Sequence, residues 1–344
     1  MGIKQLSKLI KEKCKKAIVS RKMGYYSSTK IAIDASLCLY QFLIAVRTDG
    51  ANLGYEDATT SHLVGMFYRT IRIIESGIIP VYVFDGKAPP IKAIELQKRN
   101  ERRLKAEKML EQAKLEEDKK EMDKHEKRKV KVEESHVDDC KRLFRLMGVP
   151  FVTAESESEA YCSLLCKRGV VKAVATEDMD ALCFGAPILL RNMNASQSKN
   201  LDIDEYNLGT ILKELELTMG SFIDLCILMG CDYCDTIKGV GHKRAYDLIK
   251  KYGCIESIIE SETPEVPDNF DYKAARLIFN ELSSVGEAEN FEIMYDQLDK
   301  EGLVQFLVKE KGFDEVRVTN GIEKIIKSSK RGNQTKLDAF FKKT

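Results

Sequence analysis

Long apolar runs are missing from this sequence. Its 344 residues contain no stretch of about 18 apolar residues, which is the length that a membrane-spanning helix needs. The N-terminal stretch MGIKQLSKLIKEKCKK also lacks the apolar segment of a secretory signal peptide. We therefore expect a soluble globular chain that neither spans a membrane nor is secreted.

A large net charge of either sign is missing as well. The chain has 55 Lys and Arg against 54 Asp and Glu. A nucleic-acid-binding protein usually carries a basic excess, so the composition does not by itself indicate that class. The sum leaves open an uneven distribution, with acids concentrated in one site and bases elsewhere.

Histidine is scarce, and the cysteines are not arranged for a metal. There are four histidines and ten cysteines, and the cysteines are scattered through apolar segments, as expected of reduced core thiols in a cytosolic or nuclear protein. Cys231 and Cys234 form a CxxC pair, but no second pair and no nearby histidine accompany it. Zinc is therefore disfavoured.

What the sequence does contain is an acid at the end of one apolar strand after another. We predict strands over residues 31–36, 78–84 and 170–175, which alternate with helices. This order predicts a three-layer α/β domain with a mainly parallel central sheet, whose ligands bind at the carboxyl ends of the strands. The aspartates at those ends are Asp34, Asp85, Asp178 and Asp180.

Three further acids join this set. Glu157 and Glu159 follow a predicted strand over 149–154, although Ser156 and Glu159 also have the spacing of a helix capping box, and both interpretations stay open. Asp232 follows a helix that ends at Gly230. If all seven acids converge, their hard oxygen ligands favour two Mg²⁺ or Mn²⁺ ions. Two such ions can activate a water and stabilise the leaving oxygen of a phosphodiester, which indicates a nuclease.

Residues 91–136 predict a helical arch. The segment is dense in Lys, Arg and Glu, and its apolar residues do not sustain a coiled-coil heptad. Basic side chains on both limbs could hold a phosphate backbone, but a long solvated helix is an equal alternative. The basic residues of the two limbs are Lys92, Lys98, Arg99, Arg102 and Arg103, then Lys124, Lys127, Arg128, Lys129 and Lys131.

The stretch GVGHKRAYDLIKKYG, residues 239–253, resembles a helix-hairpin-helix turn. Gly239 and Gly241 let the backbone approach a ligand, and the following helix begins with Lys243 and Arg244. Amide groups at a helix N-terminus face an anion, so duplex phosphate is the expected partner. A plain glycine turn before a surface helix is the alternative.

Two predictions concern helices. We predict a helix over residues 3–19 and two helices within residues 204–229.

Near the end of the chain, four side chains gather on one face of a helical turn in a polar tail, where exposed aromatics indicate a protein partner. These four are Gln334, Leu337, Phe340 and Phe341.

Taken together, these stretches resemble the eukaryotic flap endonucleases, within the structure-specific 5′ nucleases. The resemblance covers nearly the whole chain. It rests on IAIDAS, YQFLIAVR, TTSHLVGMFYRTIR, PVYVFDGK, ATEDMD, DLCILMGCDYC, GVGHKRA and QTKLDAFF.

The resemblance implies roles for particular residues. All seven acids match the ligands of a two-metal site, and Lys92 and Arg99 match basic residues that contact the scissile phosphate. The turn matches a duplex-binding motif that also holds K⁺, and the tail matches the box that binds the sliding clamp (PCNA). The implied DNA contacts are Tyr40, Arg47, Arg69, Glu157, Gly230, Asp232, Gly239, Gly241, Lys243 and Arg244.

The implied activity is structure-specific cleavage of 5′ flaps, with 5′–3′ exonuclease activity, in Okazaki fragment maturation and base excision repair. The expected location is the nucleus, with the mitochondrion as an alternative, although the family's basic tail is absent and import would rest on residues 327–331. The segments would be an N-terminal nuclease half (1–103), the arch (91–136), an internal nuclease half (121–253), a helical C-terminal part (254–327) and a clamp-binding tail (333–341).

The rival interpretations predict either a longer chain or a different activity. An excision-repair relative would carry a long spacer between Asp85 and Glu157, and a 5′-exonuclease relative would carry a long C-terminal extension. A clamp-bound scaffold that holds DNA without cutting would not need seven intact acids. An RNA-processing nuclease on the same fold would leave the clamp box without a role.

Overall fold

The computed structural model describes residues 2–48, 60–116, 118–195, 201–262, 265–281 and 296–341. Within these ranges, the side chains of residues 45–48, 123, 262 and 329–341 lie outside the description.

One sheet of seven strands forms the centre of the described chain. Its spatial order is β1-β7-β6-β5-β2-β3-β4, and the five strands from β6 to β4 run parallel, while β7 is antiparallel to both of its neighbours. The strands are β1 (Ile18–Arg21), β2 (Lys30–Asp34), β3 (Ile79–Phe84), β4 (Phe151–Thr153), β5 (Ala173–Ala175), β6 (Ile188–Arg191) and β7 (Ile203–Asn207).

Helices connect the strands and cover the sheet. In chain order the described α-helices are α1 (Leu6–Lys13), α2 (Ala35–Thr48), α3 (Ser61–Glu75), α4 (Ala93–Leu115), α5 (Lys119–Lys129), α6 (Glu134–Met147), α7 (Ser158–Lys167), α8 (Asp180–Cys183), α9 (Leu208–Leu215), α10 (Met219–Met229), α11 (His242–Tyr252), α12 (Ile255–Glu262), α13 (Tyr272–Glu281), α14 (Lys300–Leu303) and α15 (Glu315–Phe341). Short 3₁₀ helices cover Met23–Tyr26 and Pro90–Lys92, and a π-helix covers Val304–Glu310. None of the described helices is both long and apolar enough to cross a bilayer.

The sheet separates two apolar cores. Successive residues of a strand point to opposite faces: Tyr82 and Phe84 of β3 enter one core, whereas Val81 and Val83 enter the other. Both faces of the parallel strands are therefore buried under helices, as parallel sheets require. The predicted three-layer α/β domain with a mainly parallel central sheet is confirmed.

One predicted helix was too long. The helix predicted over 3–19 covers only Leu6–Lys13, and residues from Ile18 form β1. The two helices predicted within 204–229 are confirmed as α9 and α10, although residues 204–207 belong to β7. Only two of the five side chains of β7 are buried, and none of β1 is fully buried. These strands are therefore stabilised mainly by backbone pairing with each other and with β6, which leaves little alternation in the sequence to reveal them.

The arch segment folds as two helices, α4 and α5. Ala106, Leu110 and Ala113 are the residues of α4 that are buried, and His125 of α5 is buried with them. Most of the other side chains of α4 and α5 are charged and face the solvent. The foot of α4, which follows Pro89 and Pro90, lies against the acids described next.

Candidate active site

The aspartates at the strand ends are brought together by the sheet. Strands β5, β2 and β3 are neighbours, so Asp178, Asp34 and Asp85 leave the same edge. Asp34 is 1% exposed; its Oδ1 accepts hydrogen bonds from the Leu37 amide (2.9 Å) and from Ser158 Oγ (3.0 Å). The buried carboxylate is thus held in one orientation.

Helix α7 begins at this edge and adds two glutamates. Glu157 is its N-cap residue, but no side chain caps the helix, so the capping box of Ser156 and Glu159 does not form. The Ser158 amide donates to Asp85 Oδ1 (2.9 Å), which ties Asp85 to the helix that carries both glutamates. The side chain of Glu157 is therefore available to groups in the site.

Asp178 and Asp180 meet the N-terminal segment of the chain. The Asp180 amide donates to Asp178 Oδ1 (3.0 Å), and the Ile3 amide donates to Asp180 Oδ1 (2.7 Å). Gly2 lies so close to both carboxylates that a side chain at this position would overlap them. The N-terminal segment is thus part of the wall of the site.

Two cations from the foot of α4 reach the remaining acids. Lys92 Nζ contacts Glu157 Oε1 and lies 3.6 Å from Asp232 Oδ2, and Arg99 Nη2 contacts the same Asp232 oxygen. Only 15% of the Lys92 side chain is exposed. Burial alone would lower the pKa of Lys92, but Glu157, Glu159 and Asp232 raise it above its usual range, so Lys92 is a fixed positive charge.

The acids are crowded and hold their negative charge poorly. Burial, followed by repulsion from Asp85, raises the pKa of Asp34 to about 7. Burial and then neighbouring acids raise the pKa of Glu159 and Asp180 well above the ordinary values, and burial raises that of Asp178. Buried carboxylates that repel each other are stabilised by a cation between them.

The donor set fits hard divalent ions in type, although it is not closed around one. Mg²⁺ and Mn²⁺ prefer carboxylate oxygens, and all seven acids supply only such oxygens. Among the described residues, no three His, Cys, Asp or Glu side chains are arranged to hold one ion as they stand. Glu157 and Asp232 are instead directed at Lys92 and Arg99, so these two carboxylates must exchange partners to bind metal.

Comparison with known proteins identifies the family of the chain. The model of the XPG N-terminal domain matches residues 1–106, and the model of the XPG I-region matches residues 148–232; together these ranges contain all seven acids. Flap endonuclease 1 of Encephalitozoon cuniculi is 56% identical over 340 residues, covering 99% of this chain and 99% of that protein. Flap endonuclease 1 of Danio rerio is 52% identical over 99% of this chain and 90% of that protein. The chain belongs to the flap endonuclease family.

A solved structure of the family has the same fold. The flap endonuclease-1 of Methanococcus jannaschii superposes with a TM-score of 0.69 at 32% identity, over 90% of this chain and 96% of that one. The resemblance inferred from the sequence motifs is therefore confirmed. The roles of individual residues rest on the geometry of this chain.

The expected DNA contacts outside the acid cluster lie in different environments. Tyr40 is half-exposed on α2, and the side chain of Arg47 lies outside the description. Arg69 stacks on Phe42 and donates to the carbonyl of Ala195, so in this structure it holds a protein segment. Burial lowers the pKa of Arg69 to about 10.

Gly230 is less accessible than a DNA contact requires. It is buried, with φ 108°, and a Cβ there would meet Thr236 at 2.8 Å and Lys4 at 3.0 Å. Its carbonyl accepts from the Lys4 amide (3.1 Å). Gly230 therefore ends α10 and anchors the N-terminal segment, and contact with DNA would require Lys4 to move aside.

The glycine turn is open, as a phosphate-binding turn needs to be. Gly239 has φ 79°, a conformation that disfavours other residues, and Gly241 is the N-cap of α11 with no atom within 4 Å of a built Cβ. Lys243 and Arg244 follow on the exposed first turn of α11. This arrangement leaves the helix N-terminus accessible to an anion.

The four tail residues expected to bind the clamp fall within α15. Their side chains, those of Gln334, Leu337, Phe340 and Phe341, lie outside the described part of the structure.

Sequence reasoning missed three supporting residues. Tyr233 donates its hydroxyl to Glu157 Oε2, Ser158 bridges Asp34 and Asp85, and Thr176 Oγ1 donates to Asp34 Oδ2 (3.0 Å). Each is an immediate neighbour of a predicted acid or of the strand that carries one. Polar side chains that flank predicted ligands were therefore the signal that could have found them.

Proposed function

We propose that this protein is a structure-specific 5′-flap endonuclease, with 5′–3′ exonuclease activity, that hydrolyses DNA phosphodiesters near a junction of single strand and duplex. The observation that carries the proposal is the cluster of seven carboxylates at the carboxyl edge of the sheet, two of which, Glu157 and Asp232, contact Lys92 and Arg99, in a chain of the flap endonuclease family. Okazaki fragment maturation and base excision repair are the processes that need this cut.

Family membership implies divalent metal ions, and the seven acids are the residues that would hold them. We propose two Mg²⁺ ions, with Mn²⁺ as a substitute, bound by Asp34, Asp85, Glu157, Glu159, Asp178, Asp180 and Asp232. When bound, such ions make water nucleophilic at neutral pH and stabilise the charge of the leaving oxygen.

Lys92 and Arg99 would hold the scissile phosphate. In the structure both cations contact carboxylates, Lys92 with Glu157 and Arg99 with Asp232. A phosphate is also an anionic oxygen ligand, so each cation can exchange a carboxylate for a phosphate oxygen without losing its charge-assisted hydrogen bond. At that position they offset the negative charge that develops as the bond breaks.

The surrounding elements would position the DNA. The basic limbs of the arch, α4 and α5, would guide the single-stranded flap, and the half-exposed ring of Tyr40 would stack on a base near the cut. The open turn at Gly239 and Gly241 would bind duplex phosphate, with a K⁺ ion in the same turn. Lys243 and Arg244 would reinforce this contact.

Partner and location are further parts of the proposal. The tail residues Gln334, Leu337, Phe340 and Phe341 would bind the sliding clamp, and the chain would work in the nucleus, with the mitochondrion as an alternative. The apolar and aromatic residues of QTKLDAFF support the first point. The basic cluster at 327–331 supports nuclear import.

The proposal is tested with a panel of substrates in Mg²⁺. We expect the protein to cut an end-labelled DNA duplex that carries a 5′ flap, at the junction, and to cut a blunt linear duplex much more slowly. Tight binding of the flap without cutting would indicate a scaffold. Faster cutting of a flapped RNA would indicate an RNA-processing nuclease.

A further inference from the structure

Two thiols flank two residues of the active site. The sulfur atoms of Cys231 and Cys234 lie 3.8 Å apart, and the residues between them are Asp232 and Tyr233. Seven of the ten cysteines are buried, whereas these two and Cys254 are only half-buried. The pair is therefore close together and within reach of a small reagent, and the proposed cleavage chemistry makes no use of it.

The position of the pair gives small reagents a route to it. Cys231 and Cys234 line a cleft between the loop after α10 and the foot of α4, together with Ile91, Ile94 and Lys98. Lys98 pairs with Asp235 at 2.5 Å across this cleft. Asp232 also lines this cleft, so a reagent that enters here reaches the thiols beside one of the seven acids.

Joining the two sulfurs would act on residues of the site. A disulfide has an S–S length of about 2.05 Å, so the sulfur atoms must approach by about 1.8 Å. Asp232 is held by Arg99, and the Tyr233 hydroxyl is held by Glu157 while its ring packs against Phe279 (5.1 Å between centroids). Because the chain between the sulfurs consists of these two residues alone, any backbone shift that accompanies the bond moves Asp232 or Tyr233 relative to its partner.

We propose that Cys231 and Cys234 form a reversible disulfide that switches off DNA cleavage, with hydrogen peroxide as the oxidant. One thiolate attacks a peroxide oxygen, the O–O bond breaks, hydroxide leaves, and the cysteine becomes a sulfenic acid. The second thiolate attacks that sulfur, the S–S bond forms, and the sulfenic oxygen leaves as hydroxide. With the two thiol protons, the products are one disulfide and two waters, and the peroxide is reduced.

The test treats the reduced full-length protein with hydrogen peroxide, removes the excess with catalase, and measures cleavage of a 5′-flap substrate in Mg²⁺ before and after dithiothreitol. We expect cleavage to fall about 10- to 100-fold, as when the support of a metal ligand is lost, and to recover on reduction. Mass mapping of alkylated peptides should find Cys231 joined to Cys234.

Two variants complete the test. Cys231→Ser together with Cys234→Ser should show no dithiothreitol-reversible loss of cleavage. Cys254→Ser, which removes the other half-buried thiol, should respond as the unmodified protein does. Any of three results would overturn the proposal. Peroxide could leave Cys231 and Cys234 unjoined, the joined pair could leave cleavage unchanged, or the double variant could show a reversible loss of cleavage.

The switch rests on the proposed function only for its activity readout. If the reduced protein cuts no flap, the proposed function fails, whereas peptide mapping and flap affinity still decide whether the disulfide forms and moves the loop. If the reduced protein cuts normally and peroxide has no effect, only the switch fails.

Discussion

Asp180 is the residue at which the acid cluster meets the N-terminal segment. It is 5% exposed, begins α8, and accepts the Ile3 amide at 2.7 Å. We expect Asp180→Ala to lower the rate of flap cleavage at least about 1000-fold, because a carboxylate that would hold a catalytic ion is lost. Flap affinity, measured by fluorescence anisotropy, should change little.

The matched control is Asp204→Ala. Asp204 lies on β7 and bonds to Ser20 and Asn192, on the antiparallel side of the sheet. This variant should cut normally. Loss of flap affinity in Asp180→Ala, with the remaining bound enzyme cutting at the normal rate, would contradict a metal-ligand role.

Tyr233 holds Glu157 from the side opposite Lys92. It is 4% exposed, and its hydroxyl donates to Glu157 Oε2 while Lys92 contacts Oε1. We expect Tyr233→Phe to slow cleavage by about 10- to 100-fold, since a carboxylate loses one of two partners that orient it. Single-turnover kinetics should show the loss in the cleavage step, with the dissociation constant for flap DNA unchanged.

Tyr25→Phe is the control for this change, because Tyr25 is 60% exposed and packs on Arg21 and Tyr26. A Tyr233→Phe enzyme that cuts as fast as this control would mean that Glu157 needs no support from the hydroxyl.

At the scale of single residues, the sequence predicts the candidate metal ligands better than it predicts the residues that orient them. Asp34 and Asp85 could be predicted because each ends an apolar strand, and strand ends meet at one edge of a parallel sheet. The Tyr233 hydroxyl reaches a glutamate 76 residues away, and no local pattern encodes such a pairing. The contacts of Lys92 and Arg99 with the acids likewise depend on how the foot of α4 folds back on the site.

At the scale of elements, an ion cluster around the buried Asp224 joins three helices. Arg276 of α13 donates to both oxygens of Asp224 on α10 at 2.8 Å, and to both oxygens of Glu256 on α12 at 2.8 and 2.9 Å. Only 4% of the Asp224 side chain is exposed. We expect Arg276→Ala to lower the free energy of unfolding by about 3 kcal/mol, because a buried carboxylate loses its partner.

Urea unfolding measures this loss, and Lys22→Ala is the control. Lys22 pairs with Asp202, but its side chain is 78% exposed, so the change should be less than about 1 kcal/mol. Equal effects of the two substitutions would show that the three helices are not held by this cluster.

A buried histidine should make stability depend on pH where α3 meets α6. His62 is fully buried, 4.7 Å from the His136 ring and 3.7 Å from Asp139, which itself bonds Lys311. Burial, and then His136, lower the pKa of His62 to about 4. Between this value and the ordinary value of about 6.5, the unfolded chain binds a proton that the folded chain does not, so stability falls as pH falls.

The expected loss from His62 is roughly 2 kcal/mol between pH 7 and pH 4.5. Urea unfolding at the two pH values should show a smaller difference in His62→Gln than in the unmodified protein, whereas His242→Gln, at a half-exposed position, should leave it unchanged. The same pH difference in all three proteins would contradict the assignment to His62.

Which elements the sequence reveals depends on what stabilises them. The parallel strands β2, β3 and β5 are buried on both faces and read as apolar runs, so they were predicted close to their observed bounds. Few side chains of β1 and β7 are fully buried, and these strands were missed, since hydrogen bonds between backbones leave no trace in side-chain periodicity. That the segment over 91–136 is helical could be predicted from its charge density, but the approach of the foot of α4 to the acids could not.

At the scale of the whole molecule, near-zero net charge conceals a local concentration of acids. Seven acids gather at the carboxyl edge of the sheet, while exposed bases lie among other acids on the arch segment and at the start of α11, including Arg102, Lys124, Lys243 and Arg244. The composition could not show this concentration, because it depends on which side chains the fold brings together.

The tail should act independently of this arrangement. We expect Phe340→Ala combined with Phe341→Ala to weaken binding to the sliding clamp at least about tenfold, because two aromatic anchors are lost, and to leave cleavage in the absence of clamp unchanged. Surface plasmon resonance on immobilised clamp measures the first effect, with Lys342→Ala as a control outside the motif. Unchanged clamp affinity in the double variant would refute the assignment of the tail.

The central claim is that the clustered carboxylates cut flap DNA only when divalent ions join them. Its most direct test follows one end-labelled 5′-flap duplex at nucleotide resolution, with the protein in Mg²⁺ and in chelator, while binding is recorded on the same samples. We predict one product at the junction in Mg²⁺, and bound but uncut DNA in chelator. A cut that persists at the same rate without divalent ions would contradict the account.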